Sequence, residues 1–406
     1  MVDNLKASNL LLETGDNAFV RMHDVVCDVA LAIASKDHVF SLREGVGLEE
    51  WPKLDELQSC SKISLAYDDI RKLPEGLVCP ELELFVLYHI SDPILKIPNT
   101  FFEGMKKLKV LDLTNMHFTS LPSSLCCLAN LRTLSLDWCI LGDIAIIAEL
   151  KKLESLSLIG SNIEQLPKEI GQLIHLRLLD LSNCSKLQVI PPNIISSLSQ
   201  LEYLCMENSF TGWEVEGSND KKTNACLAEL KYLSHLVTLD IEVPDAKLLP
   251  KDILFENLIR FKILIGDVWS WCQNCETTET LKLNKLNTSL HSMDGISKLL
   301  KRVKDLYLRE LSGGNHVLSE LDREGFPALK HFHVESSPEI QYIMRSVEQI
   351  PGNPVFPALE SLYLTKLINL HEVCHGQLPP GSFGYLRIVK VDDCDGIKCL
   401  FSISLA

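Results

Sequence analysis

A leucine spacing, Leu-x-x-Leu-x-Leu, returns at nearly constant intervals along most of this 406-residue chain. Four consecutive copies begin at Leu108, Leu131, Leu153 and Leu176, so their starts lie 22 or 23 residues apart. When the first leucine is counted as position 1, fourteen units can be placed, and positions 4 and 6 are apolar in all of them. The fourteen units begin at Cys60, Leu82, Leu108, Leu131, Leu153, Leu176, Leu201, Leu236, Leu258, Thr278, Val303, Leu329, Leu359 and Leu386. A fixed period of this length indicates a stack of structural repeats.

The repeat pattern continues beyond the Leu-x-x-Leu-x-Leu segment of each unit. The units at Cys60, Leu108 and Leu153 each have an apolar residue at position 11, leucine at position 14 and proline at position 15. Side chains alternate along a strand, so positions 4 and 6 point into a core while positions 3, 5 and 7 point outward. One unit cannot bury its own apolar edge, but stacked units can. We therefore predict an α/β fold, a leucine-rich-repeat solenoid shaped like a horseshoe, with parallel strands on its concave face and proline-containing return segments on its convex side.

The solenoid is predicted to run from about residue 57 to residue 406, with about 14 repeats. Beyond Leu201 the spacing loosens, and a 35-residue unit accommodates the polar stretch 211–224, which we expect to form a loop. Position 9 is a cysteine at Cys139, Cys184 and Cys394. Because a tight bend follows each strand, we interpret these cysteines as structural groups that bond to backbone.

The first fifty residues follow a different pattern. Met22, Val25, Val26, Val29, Ala30 and Ile33 form one apolar stripe with helical spacing. Two short apolar segments precede the stripe, at residues 10–12 and 19–22, and Gly15-Asp16-Asn17 separates them. Strand, turn, strand and helix predict that residues 1–50 are the C-terminal part of a winged-helix domain.

Arg21-Met22-His23-Asp24-Val25-Val26, followed by residues 30–35 and then by leucine-rich repeats, resembles one junction of plant proteins. It is similar to the junction in nucleotide-binding leucine-rich-repeat disease-resistance proteins of the coiled-coil type. The resemblance implies that His23 approaches the phosphates of a bound ADP and helps to hold an inactive state. A helix N-terminus is suited to a phosphate, since its dipole and free N–H groups favour an anion.

The phosphate-binding loop of that family, Gly-x-x-x-x-Gly-Lys-Ser/Thr, does not occur in this sequence. We therefore expect no cofactor in this chain alone, although the resemblance implies ADP or ATP for the full-length family. The sequence also stops soon after a strand segment, without a polar capping repeat. The expectation is a segment of a larger receptor, whose nucleotide-binding domain would be an intramolecular partner.

Charge and composition exclude several classes of function. With 54 acidic and 39 basic side chains the net charge is −15, which disfavours nucleic acid as a partner. The 14 cysteines are scattered instead of forming the dense framework of a small secreted domain. The longest unbroken apolar run, residues 29–34, is far shorter than the ~20 residues that cross a bilayer. We expect a cytoplasmic protein without a transmembrane segment.

Three short motifs suggest chemistry but lack its context. His371-Glu372-Val373-Cys374-His375 matches a zinc-protease motif, yet that motif requires a helix, and a predicted strand before it and Gly376 after it argue against one. His331, His333 and Glu335 occupy positions 3, 5 and 7 of one unit, so they should lie in a row instead of converging on a metal. Cys272 and Cys275 have the spacing of a zinc knuckle but no second pair. No metal site and no enzymatic activity are predicted.

The leading functional hypothesis is a plant immune receptor segment. Its concave strands would bind a pathogen effector or a modified host protein, and its first repeats would restrain the nucleotide switch. The candidate partner-binding residues are Thr133, Asp137, Asp180, Tyr203, Glu207, Asp305, Tyr307, Arg309, His331, His333, Glu335 and Tyr363. Exposed rows with aromatics and arginine suit an interface, while the alternative is that most of these residues are ordinary solvated strand residues. A second hypothesis is a stand-alone leucine-rich-repeat scaffold or ubiquitin-ligase adaptor.

Overall fold

A computed structural model of the chain describes the following residues: 11–13, 20–22, 39–42, 57–67, 73–89, 96–216, 223–250, 255, 257–266, 277–285, 294–311, 321, 325–345 and 354–401. The chain divides into two compact units, Met1–Ser161 and Asn162–Ala406. We call them unit 1 and unit 2.

A short antiparallel hairpin opens unit 1, as the sequence predicts. It consists of β1, Leu11–Glu13, and β2, Val20–Met22, with Leu11 opposite Met22. The predicted helix beyond Met22 lies outside the described residues, so the winged-helix assignment stays a prediction. The strand β3, Val39–Leu42, falls in the range assigned to that domain, but it pairs in parallel with the first repeat strand, Val39 lying beside Lys62. The parallel sheet of unit 1 therefore begins one strand earlier than the repeat pattern indicates.

The repeats of unit 1 contribute seven further strands among its described residues. They are β4 Lys62–Tyr67, β5 Leu84–His89, β6 Val110–Asp112, β7 His117–Ser120, β8 Thr133–Ser135, β9 Ile140–Asp143 and β10 Ser155–Ser157. Strands β3, β4, β5, β6, β8 and β10 form one parallel sheet, while β7 and β9 form a separate parallel pair behind it. Repeats that stack in register produce both layers.

Unit 2 is built in the same way. Its described strands are β11 Leu178–Asp180, β12 Tyr203–Cys205, β13 Thr238–Val243, β14 Arg260–Ile265, β15 Glu279–Asn284, β16 Asp305–Arg309, β17 His331–Glu335, β18 Tyr342–Arg345, β19 Ser361–Thr365, β20 Glu372–His375 and β21 Ile388–Asp392. All except β18 and β20, which pair with each other, belong to one parallel sheet. A strand therefore lies at positions 3 to 5 of all fourteen predicted units, including the weakly patterned units at Leu258 and Thr278.

The side chains at positions 4 and 6 form the core. They are buried in the first thirteen units, for example at Leu134 and Leu136 in unit 1 and at Phe332 and Val334 in unit 2. In β21 these positions are more open, and Val391 is 40% exposed, because β21 has a paired neighbour, β19, on one side only among the described residues. Burial of a leucine contributes about 1.5–3 kcal/mol, so the rows of leucines supply most of the stabilisation.

The return segments behind the sheets contain short helices in place of long ones. In unit 1 they are the 3-10 helices Ser123–Cys127 and Ala145–Glu149. Unit 2 contains the 3-10 helices Lys168–Gln172, Leu227–Tyr232 and Ala246–Leu248, together with the α-helices α1 Ile194–Ser197 and α2 Asp294–Leu300. The repeat prolines Pro122 and Pro167 directly precede two of these helices, where a fixed φ angle and a missing N–H are tolerated.

In ten of the fourteen units the strand is followed by a residue with left-handed backbone conformation at position 8. The residues with φ between 49° and 66° at this position are Asn115, Trp138, Gly160, Asn183, Asn208, Lys285, Glu310, Ser336, Lys366 and Asp393. Asparagine, aspartate and glycine adopt this conformation at little cost, whereas a bulky residue such as Trp138 is strained in it. The left-handed residue turns the chain out of the sheet, and in the units at Leu108, Leu131, Val303 and Leu359 the next N–H group donates to the side chain at position 9 of the neighbouring repeat.

Position 9 connects neighbouring repeats through that N–H group. The amide of Cys139 donates to Ser161 Oγ at 3.0 Å, and the same hydroxyl donates to the Leu136 carbonyl at 2.6 Å. Cys139 forms the corresponding pair of bonds with the preceding repeat. The Met116 amide donates to Cys139 Sγ at 3.3 Å, and the Cys139 thiol donates to the Leu113 carbonyl at 2.9 Å. Burial raises the pKa of the Cys139 thiol to about 12, so it remains protonated. The structural role predicted for the cysteines at position 9 is confirmed at Cys139.

Replacement of Ser161 by alanine should destabilise unit 1. The change leaves the Cys139 N–H and the Leu136 carbonyl buried without this partner, at a cost of about 1–3 kcal/mol. Urea unfolding followed by circular dichroism measures the loss, and the exposed Ser120→Ala serves as the control, with an expected change below about 0.5 kcal/mol. Equal losses in the two variants would show that the hydrogen bond across the repeats is not important.

Candidate recognition surface

The outward face consists of the side chains at positions 3, 5 and 7 of the strands. In unit 1, Thr133 and Asp137 lie on it, and both are half-buried. The Asp137 carboxylate accepts hydrogen bonds from Ser157 Oγ at 2.6 Å and from the Ile159 amide at 2.9 Å. Asp137, a predicted contact residue, therefore also fixes the bend of the next repeat.

A cluster of acidic residues lies on the first strands of unit 2. Glu207 forms an ion pair with Lys262 at 2.5 Å, and Glu242, which is 7% exposed, accepts a hydrogen bond from the Asn208 amide at 3.0 Å. Burial, and then the neighbouring Glu207, raise the pKa of Asp240 to about 6. Three carboxyl groups thus lie close to Lys262, and the charge of Lys282 also acts on Glu242.

A column of stacked rings continues this face at position 5. The ring centroids of Tyr307 and His333 lie 4.0 Å apart, and those of His333 and Tyr363 lie 4.2 Å apart, with interplanar angles of 14° and 6°. The ammonium groups of Lys282 and Lys390 lie 4.9 Å and 5.4 Å from the outer two rings. Successive strands in register place these residues side by side, and we call the five residues the aromatic column. Burial lowers the pKa of His333 to about 3, with smaller contributions from His331 and Lys282, so the central ring is neutral at physiological pH.

Position 3 of the same strands carries a second row of contacts. His331 Nδ1 lies 2.6 Å from Ser361 Oγ, and its Nε2 lies 4.0 Å from Asp305 Oδ1. Aspartate, histidine and serine in contact are also the components of a hydrolase triad. Here Ser361 is only 2% exposed, so its hydroxyl is not accessible to a substrate. The row instead connects three neighbouring strands.

Asp305 and Tyr307 are corrections to the predicted contact set. Their side chains are 0% and 5% exposed, so neither offers surface to a partner. Alternation along a strand predicts the direction of a side chain but not its burial, which depends on the adjacent strands. Thr280 and His331 lie beside Asp305, and Lys282 and His333 lie beside Tyr307. Among the other predicted residues, Tyr203 is 37% exposed. The half-buried ones in unit 2 are Asp180, Glu207, Arg309, His331, His333, Glu335 and Tyr363.

The three short motifs have different outcomes. Glu372–His375 is a strand paired with Tyr342–Arg345, so the zinc-protease string lacks the helix that it requires. His331 and His333 contact different neighbours, and the described residues contain no group of three His, Cys, Asp or Glu side chains that could hold a metal ion. His23, Cys272 and Cys275 lie outside the described residues.

Several residues of this face are missing from the predicted set. Lys262, Asp240, Lys282 and Lys390 all occupy position 5. The signal for them in the sequence is the series of residues at position 5 of consecutive units, and not the order of residues within one unit. The sequence then gives lysine, tyrosine, histidine, tyrosine and lysine in five consecutive units.

Comparison with known proteins supports the repeat assignment. The family model "Leucine rich repeat" matches residues 90–141, and a second model described as "Leucine Rich Repeat" matches residues 175–198. A leucine-rich-repeat protein of Leptospira interrogans has a similar fold, with a TM-score of 0.51 and 17% identity over 91% of this chain and 93% of that one. An internalin of Listeria monocytogenes gives a TM-score of 0.51 and 18% identity over 85% of this chain and 91% of its own length.

Two curated relatives extend over nearly the whole chain. The probable disease resistance protein At4g27220 of Arabidopsis thaliana is 33% identical over 99% of this chain, and the disease resistance protein At4g27190 of the same plant is 31% identical over 98% of it. This chain is a homologue of plant disease resistance proteins. It spans 44% and 42% of the lengths of these two relatives. Within the described part of this homologue, no helix is both long and apolar enough to cross a bilayer.

His333 should make the stability of this disease resistance homologue depend on pH. Its pKa is about 3 in the folded chain but about 6.5 in the unfolded chain, so protonation of the unfolded chain lowers stability as pH falls below about 6.5. At pH 5 the loss should be about 2 kcal/mol relative to pH 8. His333→Phe keeps an aromatic ring between Tyr307 and Tyr363 and should lack this loss in urea unfolding. An identical pH dependence in both proteins would contradict the assignment of a neutral imidazole at His333.

Asp240 should change stability with pH in the direction opposite to that predicted for His333. Its pKa of about 6 lies above the ordinary value of 3.8, so the unfolded chain loses its proton first and stability falls as pH rises from about 4 to above 6. Asp240→Asn should therefore be more stable than the parent by about 3 kcal/mol at pH 8, and by only about 0.5 kcal/mol near pH 4. Urea unfolding at the two pH values measures this. A variant that is less stable at pH 8 would show that Lys262 compensates the carboxylate fully.

Proposed function

We propose that this chain is the recognition segment of a cytoplasmic plant immune receptor. Its outward face binds a pathogen effector, or a host protein that an effector modifies, and the chain acts by binding and not by catalysis. The observation that carries this proposal is the similarity to two disease resistance proteins over at least 98% of the chain. Leucine-rich-repeat folds generally mediate protein–protein interaction, and they do so through extended surfaces of this kind.

The physical character of the outward face supports binding to a protein. Tyr203, Arg309 and Tyr363 are partly exposed, and tyrosine and arginine carry much of the energy of protein interfaces. Tyr363 is held by its stacking against His333, so little side-chain freedom remains to be lost when a partner binds. A rigid, partly exposed set of this kind favours specific over loose association.

The proposal includes a switch that lies largely outside the described residues. We propose that this chain binds no cofactor by itself and that ADP or ATP is bound by the nucleotide-binding module of the full-length receptor. By family resemblance, His23 would then contact the phosphates, and the first repeats would restrain the module.

The partner can be sought with the chain 1–406 in a two-hybrid screen against a panel of secreted effectors of plant pathogens. A partner found in this way is then titrated calorimetrically against the triple variant Tyr203→Ala/Arg309→Ala/Tyr363→Ala. The matched control is Tyr232→Ala/Tyr385→Ala/Arg387→Ala, which removes the same residue types from exposed positions outside the outward face.

We expect the first variant to lower affinity by at least about tenfold and the control by less than about twofold. Equal losses, or a loss only in the control, would place recognition elsewhere on the chain. Binding only to components of a ubiquitin ligase would favour an adaptor instead.

A further inference from the structure

An open cavity of about 380 Å³ lies in unit 1, at the edge where the chain enters the strands. Basic side chains dominate its lining, which consists of Lys107, Lys109, Arg132, Lys152, Asn130 and Glu83. Lys107, Asn130 and Lys152 directly precede position 1 of their units, and Glu83, Lys109 and Arg132 occupy position 2. None of them belongs to the outward face formed by positions 3, 5 and 7. The cavity is therefore separate from the recognition surface.

The repeat explains why the four cations meet. Stacking in register places the same positions of neighbouring units side by side, one strand spacing apart, or about 4.8 Å. The three units at Leu108, Leu131 and Leu153 supply Lys107 and Lys109, then Arg132, then Lys152. Cations that are distant in sequence thus converge on one opening.

The cations are held in place without being neutralised by buried partners. Lys107 pairs with Glu81 at 2.7 Å, Lys109 with Glu83 at 2.8 Å, and Arg132 with Glu154 at 2.8 Å. The three basic side chains of these pairs are 48–58% exposed, and exposed pairs contribute little free energy, so an anion can compete for them.

Lys152 differs from the other three cations in its partner. Its ammonium group donates to the neutral amide oxygen of Asn130 at 2.9 Å, and Asn130 is itself anchored by a bond to the Lys106 carbonyl at 3.0 Å. Asn130 therefore positions the Lys152 charge at the cavity without cancelling it.

Four cationic side chains at this edge face the three carboxylates of their ion pairs, so the cations outnumber the carboxylates by one, although the net charge of the chain is −15. A hydrogen bond from Lys109, together with the charges of Lys109, Lys107 and Lys62, lowers the pKa of the Glu83 carboxyl. Four cationic side chains and one carboxylate line the cavity. A small anion is attracted here, whereas a long polyanion would also meet the acidic remainder of the surface.

We propose that this cavity binds a small multivalent oxyanion of the oligophosphate class. Its volume lies in the range of about 300–1,000 Å³ that is usual for small-molecule sites. The planar Arg132 guanidinium offers several N–H donors in a geometry that suits phosphate oxygens, and the lysines add point charges around it.

The test is isothermal titration of the chain 1–406 with inorganic tripolyphosphate, and with inorganic phosphate for comparison. We expect saturable binding of one tripolyphosphate, weaker binding of phosphate, and loss of affinity as salt rises. The triple variant Lys109→Gln/Arg132→Gln/Lys152→Gln should bind at least about tenfold more weakly, which corresponds to about 1.4 kcal/mol.

The matched control is Lys304→Gln/Lys330→Gln/Arg387→Gln, which removes the same charges from position 2 of three units in unit 2. It should change affinity less than about twofold. Circular dichroism checks the fold, and the single variant Lys152→Glu, at an exposed position, provides a second reading if the triple variant is unstable. Equal loss in the control, absence of saturable binding, or tighter binding of hexaglutamate than of tripolyphosphate would overturn the proposal, the last in favour of an acidic protein segment.

Discussion

In several repeats of this chain the bend after the strand is hydrogen-bonded to the next repeat. The left-handed residue at position 8 turns the N–H of position 9 away from its own strand, and in the unit at Leu131 the acceptor is a side chain of the next repeat, Ser161. The leucines have the same requirement, since a single edge of leucines is buried only when another repeat covers it. Hydrogen bonding and burial thus impose one register, and every row on the surface follows from that register.

Because the register is shared, residues at one position line up across strands whatever their chemistry. At position 5 of unit 2 this produces the aromatic column, where ring spacings of 4.0 Å and 4.2 Å are close to the separation of neighbouring strands. Before position 1 and at position 2 in unit 1, the same alignment collects the cations around the cavity. A solenoid can therefore carry sites of different chemistry on its face and on its edge, each built from residues about 22–30 positions apart in sequence.

The regular part of this fold is accessible from the sequence because a fixed leucine period leaves one possible register. All fourteen strands lie where the period places them, even at Leu258 and Thr278. The leucine period does not predict β3, which precedes the first recognisable unit. It also does not predict the bend at position 8, although the asparagines Asn115, Asn183 and Asn208 at that position favour a left-handed conformation. Burial on the outward face was less predictable, because the exposure of Tyr307 depends on which side chains stand beside it in other repeats.

The outward face of unit 2 is not arranged for maximum stability. It contains Asp240 with a raised pKa, Lys282 at 1% exposure and a half-buried His333 whose buried Nε2 atom has no hydrogen-bond partner among the described residues. Apolar residues at these positions would avoid the desolvation of polar groups, and the core positions of the same strands show that the chain can supply them. Perturbed groups concentrate where a protein must present particular charges and donors, so the cost at position 5 supports the recognition role that we propose for this face.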